Sequence, residues 1–95
     1  MSDRDQLAHF LRSKRLEAGL TQRDVAVKLG YTTAQFISNW ERGESSPPVV
    51  TLRKLAQLFS VNEDDLFQIL LKVAIKTVER NLRIEFYGKR KALSR

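Results

Sequence analysis

Residues 19–43 read GLTQRDVAVKLGYTTAQFISNWERG, and this stretch decides the fold. It contains two short segments with helical periodicity, and a turn centred on Gly30 separates them. Each segment has its own start signal, since Thr21 precedes the first and Thr32 precedes the second. The pattern predicts two short helices joined by a tight turn, so the outer face of the second helix becomes the first place to look for function.

That outer face carries small side chains that form hydrogen bonds or allow close approach. The residues are Thr33, Ala34, Gln35, Ser38 and Asn39. The major groove of B-DNA admits one α-helix, whose outward side chains then meet the base edges. An acidic or apolar face would argue against such contact. The sequence therefore predicts sequence-specific DNA binding, with these five residues at the bases.

Some of these positions also have a structural interpretation. Gln35 is able to offer its amide bidentately to adenine, and it is also able to close a capping box with Thr32 at the start of the helix. Asn39 suits either adenine or a phosphate oxygen. Phe36 lies between the polar and apolar positions, and packing under Tyr31 is favoured over contact with a thymine methyl.

Composition bounds the class of protein. The chain has 95 residues, enough for one domain, and a net charge of +6 with a pI near 10.1, which favours an anionic partner such as nucleic acid. It has no cysteine, its first ten residues do not resemble a signal peptide, and no apolar run is long enough to span a bilayer. We expect a soluble cytoplasmic protein without disulfides and without a membrane partner.

Catalysis and metal binding have little support in the sequence. His9 is the only histidine, so a histidine-based metal site or a catalytic triad cannot be assembled. Glu63, Asp64 and Asp65 lack the spacing and glycine of a calcium loop and are interpreted as the acidic first turn of a helix. We expect no enzymatic activity and no cofactor. RNA binding is disfavoured because no pair of exposed aromatic residues on a sheet is predicted.

Start and stop signals along the chain predict five helices. Glycines at 19, 30 and 43 end the first three, a Thr21–Asp24 capping box begins the second, and Asn62 caps the fifth. Ile37 and Trp40 form the inner face of the third helix. Residues 1–66 are predicted to form the DNA-binding domain and residues 67–95 a helical extension with a basic tail.

The extension carries an apolar stripe at steps of three and four residues, formed by Phe67, Leu71, Ile75, Val78, Leu82 and Phe86. Residues 82–86 also alternate as a β-strand would, but helix is favoured because no turn residue interrupts residues 78–87. The stripe predicts a two-fold homodimer formed chiefly by residues 66–87, with Leu71, Ile75, Val78, Leu82 and Phe86 at the interface. The alternatives are that the helix folds back onto its own domain or that it binds another protein.

Several motifs, taken in order, resemble one known family. LRSKRLEAGLTQRDVAVKLG, FISNWERG and TLRKLAQLFSVNEDDLF are similar to the phage repressor and Cro-type helix-turn-helix domains, which include regulators related to xenobiotic response element proteins. The resemblance covers residues 7–67. It implies an all-α, compact five-helix domain like that of lambda repressor, here with an extended C-terminal helix. It also implies a transcriptional regulator, most simply a repressor, encoded by a bacterium or a phage. Such a protein would act in the bacterial cytoplasm and associate with the nucleoid.

The resemblance also implies roles for individual residues. The third helix would enter the major groove and the second would lie across the DNA backbone, as in other helix-turn-helix proteins of this kind. Arg15 and Glu41 match a structural ion pair between the first and third helices. The expected phosphate contacts are Gln22, Arg23, Thr32, Arg42, Ser45 and Ser46. One departure is a segment between Gly30 and Ile37 that is one residue longer than usual, with Tyr31 as the insertion.

Overall fold

The computed structural model describes residues 3–88, and this part of the chain is built from helices and turns without strands. The five helices are α1 (Asp3–Glu17), α2 (Gln22–Leu29), α3 (Gln35–Glu41), α4 (Val49–Leu58) and α5 (Glu63–Tyr87). Helix α1 packs against both α3 and α5, α2 packs against α3, and α4 packs against α5. The all-α, five-helix prediction is confirmed, while the predicted basic tail lies outside the described residues.

One apolar cluster lies between the helices and holds them together. Its buried members are Leu7, Leu11, Val25, Ala26, Ile37, Trp40, Leu52, Leu55, Ala56 and Leu66. Each helix contributes at least one of these side chains, so no helix of the domain stands apart from the core. Burial of a large apolar side chain stabilises the fold by about 1.5–3 kcal/mol relative to exposure.

Helix α2 begins and ends as its sequence predicts. The Asp24 backbone N–H donates to Thr21 Oγ1 over 2.9 Å, and the Thr21 N–H donates to the Asp24 carboxylate over 2.9 Å. These bonds to Thr21 lower the pKa of Asp24 below its ordinary value. At the other end, Gly30 adopts a left-handed conformation (φ 84°) that a residue with a Cβ reaches only at a cost. The capping box and the glycine stop are both confirmed.

The predicted Thr32–Gln35 capping box is wrong. Helix α3 begins at Gln35, and its N-cap is Ala34, which makes no side-chain capping bond. Residues 32–34 form a bend before the helix, so Thr32 precedes the cap by two residues and is out of register for this role. The Gln35 side chain instead donates to Asn39, one turn further along the helix.

Helix α5 is continuous for 25 residues, so the helical interpretation of residues 82–87 is confirmed over the strand alternative. Asn62 caps it as predicted, accepting from the backbone N–H groups of Asp64 and Asp65. The helix passes without a break from the core residue Leu66 into the extension. Among residues 3–88, none of the five helices contains an uncharged apolar segment of the length that a bilayer requires.

Candidate nucleic-acid interface

A buried polar cluster fixes the relative positions of the first three helices. Arg15 Nε and Nη2 donate to the two Glu41 carboxylate oxygens over 2.7 and 3.0 Å. Arg15 Nη1 donates to the Leu20 carbonyl over 2.8 Å, in the turn before α2. The bonds to Glu41 raise the pKa of Arg15 above its ordinary value. The guanidinium thereby ties α1 and the α1–α2 turn to α3.

Gln22 extends the cluster to the first residue of α2. Its Nε2 donates to Glu41 Oε1 over 3.1 Å, so one carboxylate receives hydrogen bonds from both α1 and α2. The side chain of Gln22 is half-buried and oriented by this bond. Its amide oxygen and second N–H are not used in the bond to Glu41, and its backbone N–H lies in the first turn of α2, where a helix presents free donors. This end of α2 suits a phosphate oxygen.

The two faces of α3 differ in chemistry. Ile37 and Trp40 are 3% and 4% exposed and point into the core. Gln35, Ser38 and Asn39 lie on the other side, together with Arg42 immediately after the helix. One face of α3 therefore anchors the helix to the core, and the other face is polar.

The polar face is organised around the Arg42 guanidinium. Arg42 Nη1 donates to Ser38 Oγ over 2.7 Å, and Nη2 donates to Asn39 Oδ1 over 2.7 Å. Arg42 Nε and Nη2 also donate to the Glu44 carboxylate over 3.2 and 3.0 Å. This pairing raises the pKa of Arg42 and lowers the pKa of Glu44. Glu44 therefore pairs with the Arg42 guanidinium, which would otherwise be available to an external anion.

The same network fixes which atoms Gln35 and Asn39 present outward. Asn39 Oδ1 accepts from Gln35 Nε2 over 2.9 Å as well as from Arg42. Since its oxygen is used twice, Asn39 is left with its amide nitrogen as a donor. Gln35 uses its nitrogen in this bond and keeps its amide oxygen as an acceptor. One donor and one acceptor therefore lie side by side on the outer face of α3.

The other predicted contact residues surround this face. Thr32, Thr33 and Ala34 lie in the bend before α3, and Thr33 Oγ1 accepts from the Gln35 backbone N–H over 3.3 Å. Arg23 is exposed on α2. In the loop after α3, Ser45 is half-buried and Ser46 is exposed.

Sequence reasoning missed the role of Glu44. The notable signal was an acid two residues after Arg42, in a loop where a DNA-binding surface would favour basic residues. An Arg and a Glu that close together are able to pair once a turn brings their side chains to one side. The turn at Gly43, whose φ is 73°, does so here.

An aromatic cluster supports the back of the polar face. The ring centroids of Tyr31 and Phe36 are 5.0 Å apart, and Tyr31 lies edge-on to Trp40 at 6.0 Å. The predicted packing of Phe36 under Tyr31 is therefore observed, although 53% of Phe36 remains exposed. Tyr31 thus has a packing role in the turn between α2 and α3.

A second surface lies on α5, away from the core. The six side chains of the apolar stripe are between 39% and 80% exposed, whereas Leu66, the residue just before the stripe, is 4% exposed. The neighbouring side chains Ile69, Leu70 and Val73 pack against the core on the opposite side of the helix. The described chain therefore does not cover the stripe by folding back.

A short helix with a polar outward face, set across a glycine turn from a second helix on a five-helix core, defines a helix-turn-helix nucleic-acid-binding domain. A family model described as helix-turn-helix matches residues 11–66. The chain is also 41% identical over 59 residues to an uncharacterized HTH-type transcriptional regulator, y4dJ, of Sinorhizobium fredii (strain NBRC 101917 / NGR234); the aligned part covers 62% of this chain and 74% of that relative. The chain belongs to the helix-turn-helix family, of the Cro/C1 type. No solved structure matches it.

Proposed function

We propose that this protein is a transcriptional regulator, most simply a repressor, that binds operator DNA with α3 in the major groove. The observation that carries the proposal is the outward donor–acceptor pair of Asn39 and Gln35, which hydrogen bonds from Gln35 and Arg42 to the Asn39 oxygen hold in place. The helix-turn-helix relative is itself named a transcriptional regulator. The protein would act by occupying DNA, without chemistry of its own.

The donor–acceptor pair indicates the base that the protein prefers. In the major groove adenine presents an acceptor, N7, beside a donor, its N6 amino group. Asn39 would donate to N7 while Gln35 accepts from N6. Guanine presents two acceptors and leaves the Gln35 oxygen without a donor, which disfavours it. Thr33, Ala34 and Ser38 would contact neighbouring base edges.

Contacts to the backbone would set the position of α3 in the groove. Gln22 is proposed to donate to a phosphate from the start of α2, with its orientation kept by Glu41. Arg23, Thr32, Arg42, Ser45 and Ser46 are the further phosphate contacts. Such contacts carry no sequence information themselves and make the affinity depend on salt.

We propose that the protein binds as a homodimer through the apolar stripe of α5. Six large apolar side chains remain exposed along one helix face, and extended apolar patches of this kind mark interfaces. A two-fold dimer would present two copies of α3 to a palindromic operator with half-sites about 34 Å apart.

A second candidate function uses the same stripe differently. The protein would then be antitoxin-like, with the N-terminal helices on DNA and α5 bound to another protein. Light scattering combined with size-exclusion chromatography of the purified chain separates the two functions, because a stable homodimer of the chain alone covers the stripe without a foreign partner.

The proposed function is tested by selecting bound duplexes from a random DNA pool. We expect the selected sites to share a two-fold symmetric sequence with a fixed adenine in each half. A pool that remains random after several rounds, while the protein still binds it, would reduce the chain to a non-specific DNA-binding protein.

A further inference from the structure

We propose that two copies of α5 pair in antiparallel orientation, with a two-fold axis passing between Lys76 and Thr77. This inference rests on the proposed homodimer and specifies its geometry. It follows from the spacing of the stripe, the charges beside it and a groove at one end of it.

The spacing of the stripe is the same read in either direction. From Phe67 to Phe86 the steps are four, four, three, four and four residues. Two antiparallel copies therefore place each apolar residue opposite another one. Phe67 then faces Phe86 of the second copy, and the axis lies at the centre of the stripe. At 1.5 Å per residue the stripe is about 28 Å long.

The charged residues beside the stripe support the same orientation. Lys72 and Glu79 are seven residues apart, and at 3.6 residues per turn they therefore lie on the same flank of the stripe. Their midpoint lies within about one residue of the stripe centre. In an antiparallel pair like flanks meet, so Lys72 of each copy faces Glu79 of the other, whose carboxylate also accepts from Arg83 of its own helix. In a parallel pair, Lys72 and Glu79 would instead face the opposite flank of the partner helix. At the corresponding heights that flank carries the uncharged residues Ala74 and Asn81.

The ends of α5 also disfavour a parallel pair. Its first turn contains Glu63, Asp64 and Asp65, which a parallel arrangement would place beside the same three carboxylates of the partner. In a parallel pair these carboxylates would repel one another, and the two aligned helix dipoles would repel each other as well. In the antiparallel pair the acidic turns are at opposite ends.

A groove between α4 and α5 offers a place for the end of the second copy. It opens beside Phe67, has a volume of about 250 Å³, and is lined by side chains that include Val49, Leu52, Ala56 and Leu70. The Val49 side chain beside it is 68% exposed. Because Phe86 of the second copy lies opposite Phe67, its ring is the proposed occupant of this groove.

Engineered cysteines test the orientation, since the native chain has none. Leu71→Cys and Leu82→Cys are placed on separate chains, mixed, allowed to exchange and oxidised. Both positions are exposed, so each variant is expected to keep the native circular dichroism spectrum. We expect a disulfide between a Leu71→Cys chain and a Leu82→Cys chain, and little linkage of either variant with itself. Self-linkage of each variant without the mixed product would establish a parallel pair and overturn the proposal.

Light scattering on the unmodified chain separates the failure of the orientation from the failure of the homodimer. Ile75→Cys and Val78→Cys serve as a second pair of positions. If the chain is a dimer and neither cysteine pair gives a mixed disulfide, the antiparallel geometry alone is overturned. A monomer overturns the homodimer and its geometry together, while DNA selection still tests the role of α3.

Charge reversal supplies a readout that leaves the apolar stripe unchanged. Lys72→Glu would place like charges together twice in the antiparallel dimer, and we expect the dimer dissociation constant to rise roughly tenfold. The double variant Lys72→Glu/Glu79→Lys would bring the constant back toward the native value, but not fully, because Glu79→Lys also breaks the pair with Arg83. An unchanged constant in the single variant contradicts the antiparallel pairing.

Discussion

The Arg15 guanidinium and the Glu41 carboxylate form a two-bond ion pair, at 2.7 and 3.0 Å, across 26 residues of sequence. Their side chains are 9% and 5% exposed. Because Glu41 also accepts from Gln22, a single carboxylate determines how α1, α2 and α3 sit relative to one another. The angle between the two helices that would meet DNA therefore depends on a contact remote from the bases.

Removal of one member of this pair is expected to destabilise the fold strongly. Glu41→Ala leaves the Arg15 charge buried without its partner, and loss of one partner of a buried pair costs about 3–5 kcal/mol. Denaturant unfolding measures the change. Glu44→Ala is the matched control, since it breaks an exposed Arg–Glu pair and is expected to change the free energy of unfolding very little. Equal effects of the two substitutions would contradict the structural role of Glu41.

Substitutions on the polar face of α3 are expected to change base preference and leave stability largely unaffected. Gln35→Ala or Asn39→Ala should cost about 1–3 kcal/mol of binding at the adenine position and relax the preference there. The melting temperature should change little in Gln35→Ala, because this side chain does not cap the helix.

Gln22→Ala is the contrasting variant. It is expected to weaken binding to all duplexes without altering their ranking, since a phosphate contact carries no base information. Binding to a set of single-base variants of the selected site measures both effects. A Gln35→Ala variant that keeps full selectivity would contradict base reading by this residue.

Glu44→Gln is expected to strengthen DNA binding roughly fivefold. The substitution releases Arg42 for a phosphate and removes a negative charge beside the groove. Glu17→Gln, which breaks the exposed Lys14–Glu17 pair on α1, gives the same change in net charge and serves as the control. Fluorescence anisotropy at constant salt measures the affinities, and equal gains in both variants would assign the effect to net charge alone.

The pH dependence of binding should reveal the same competition. Arg42 lowers the pKa of Glu44 in the free protein, so release of Arg42 to a phosphate would raise that pKa. At a pH between the free and bound pKa values of Glu44, this carboxyl is protonated in the complex and ionised in the free protein. A lower pH therefore favours the complex. Affinity should therefore rise more steeply on acidification in the native protein than in Glu44→Gln. Identical pH profiles would contradict this account.

Truncation after Ala74 is expected to abolish the dimer while the domain stays folded. The truncated chain keeps Ile69, Leu70 and Val73, which pack against the core, and loses the stripe beyond them. Loss of bivalent binding should reduce affinity for a palindrome by about a hundredfold. Light scattering, thermal unfolding and DNA binding check the three parts. A truncated chain that remains dimeric would place the interface elsewhere.

Most of the helical framework could be predicted from the sequence because local signals specify it. Thr21 with Asp24, Asn62 and the glycine at 30 act on adjacent backbone groups, and their effects do not depend on distant parts of the chain. The absence of a turn residue from residues 78–87 likewise predicted the helix correctly.

The start of α3 and the network on its face could not be predicted in the same way. Thr32 and Gln35 satisfy the capping pattern, but the packing of Tyr31 against Phe36 and Trp40 accompanies a bend that delays the helix. The bonds from Arg42 to Ser38, Asn39 and Glu44 depend on the turn that follows α3, whose geometry no residue pattern fixed.

The central claim, that this chain reads a DNA sequence through α3, is tested most directly by competition binding. The selected palindrome, labelled and bound at physiological salt, is challenged with unlabelled palindrome and with unlabelled random duplex. We expect the palindrome to compete at concentrations about a thousandfold or more below those of random duplex. Equal competition by the two duplexes would contradict sequence-specific recognition.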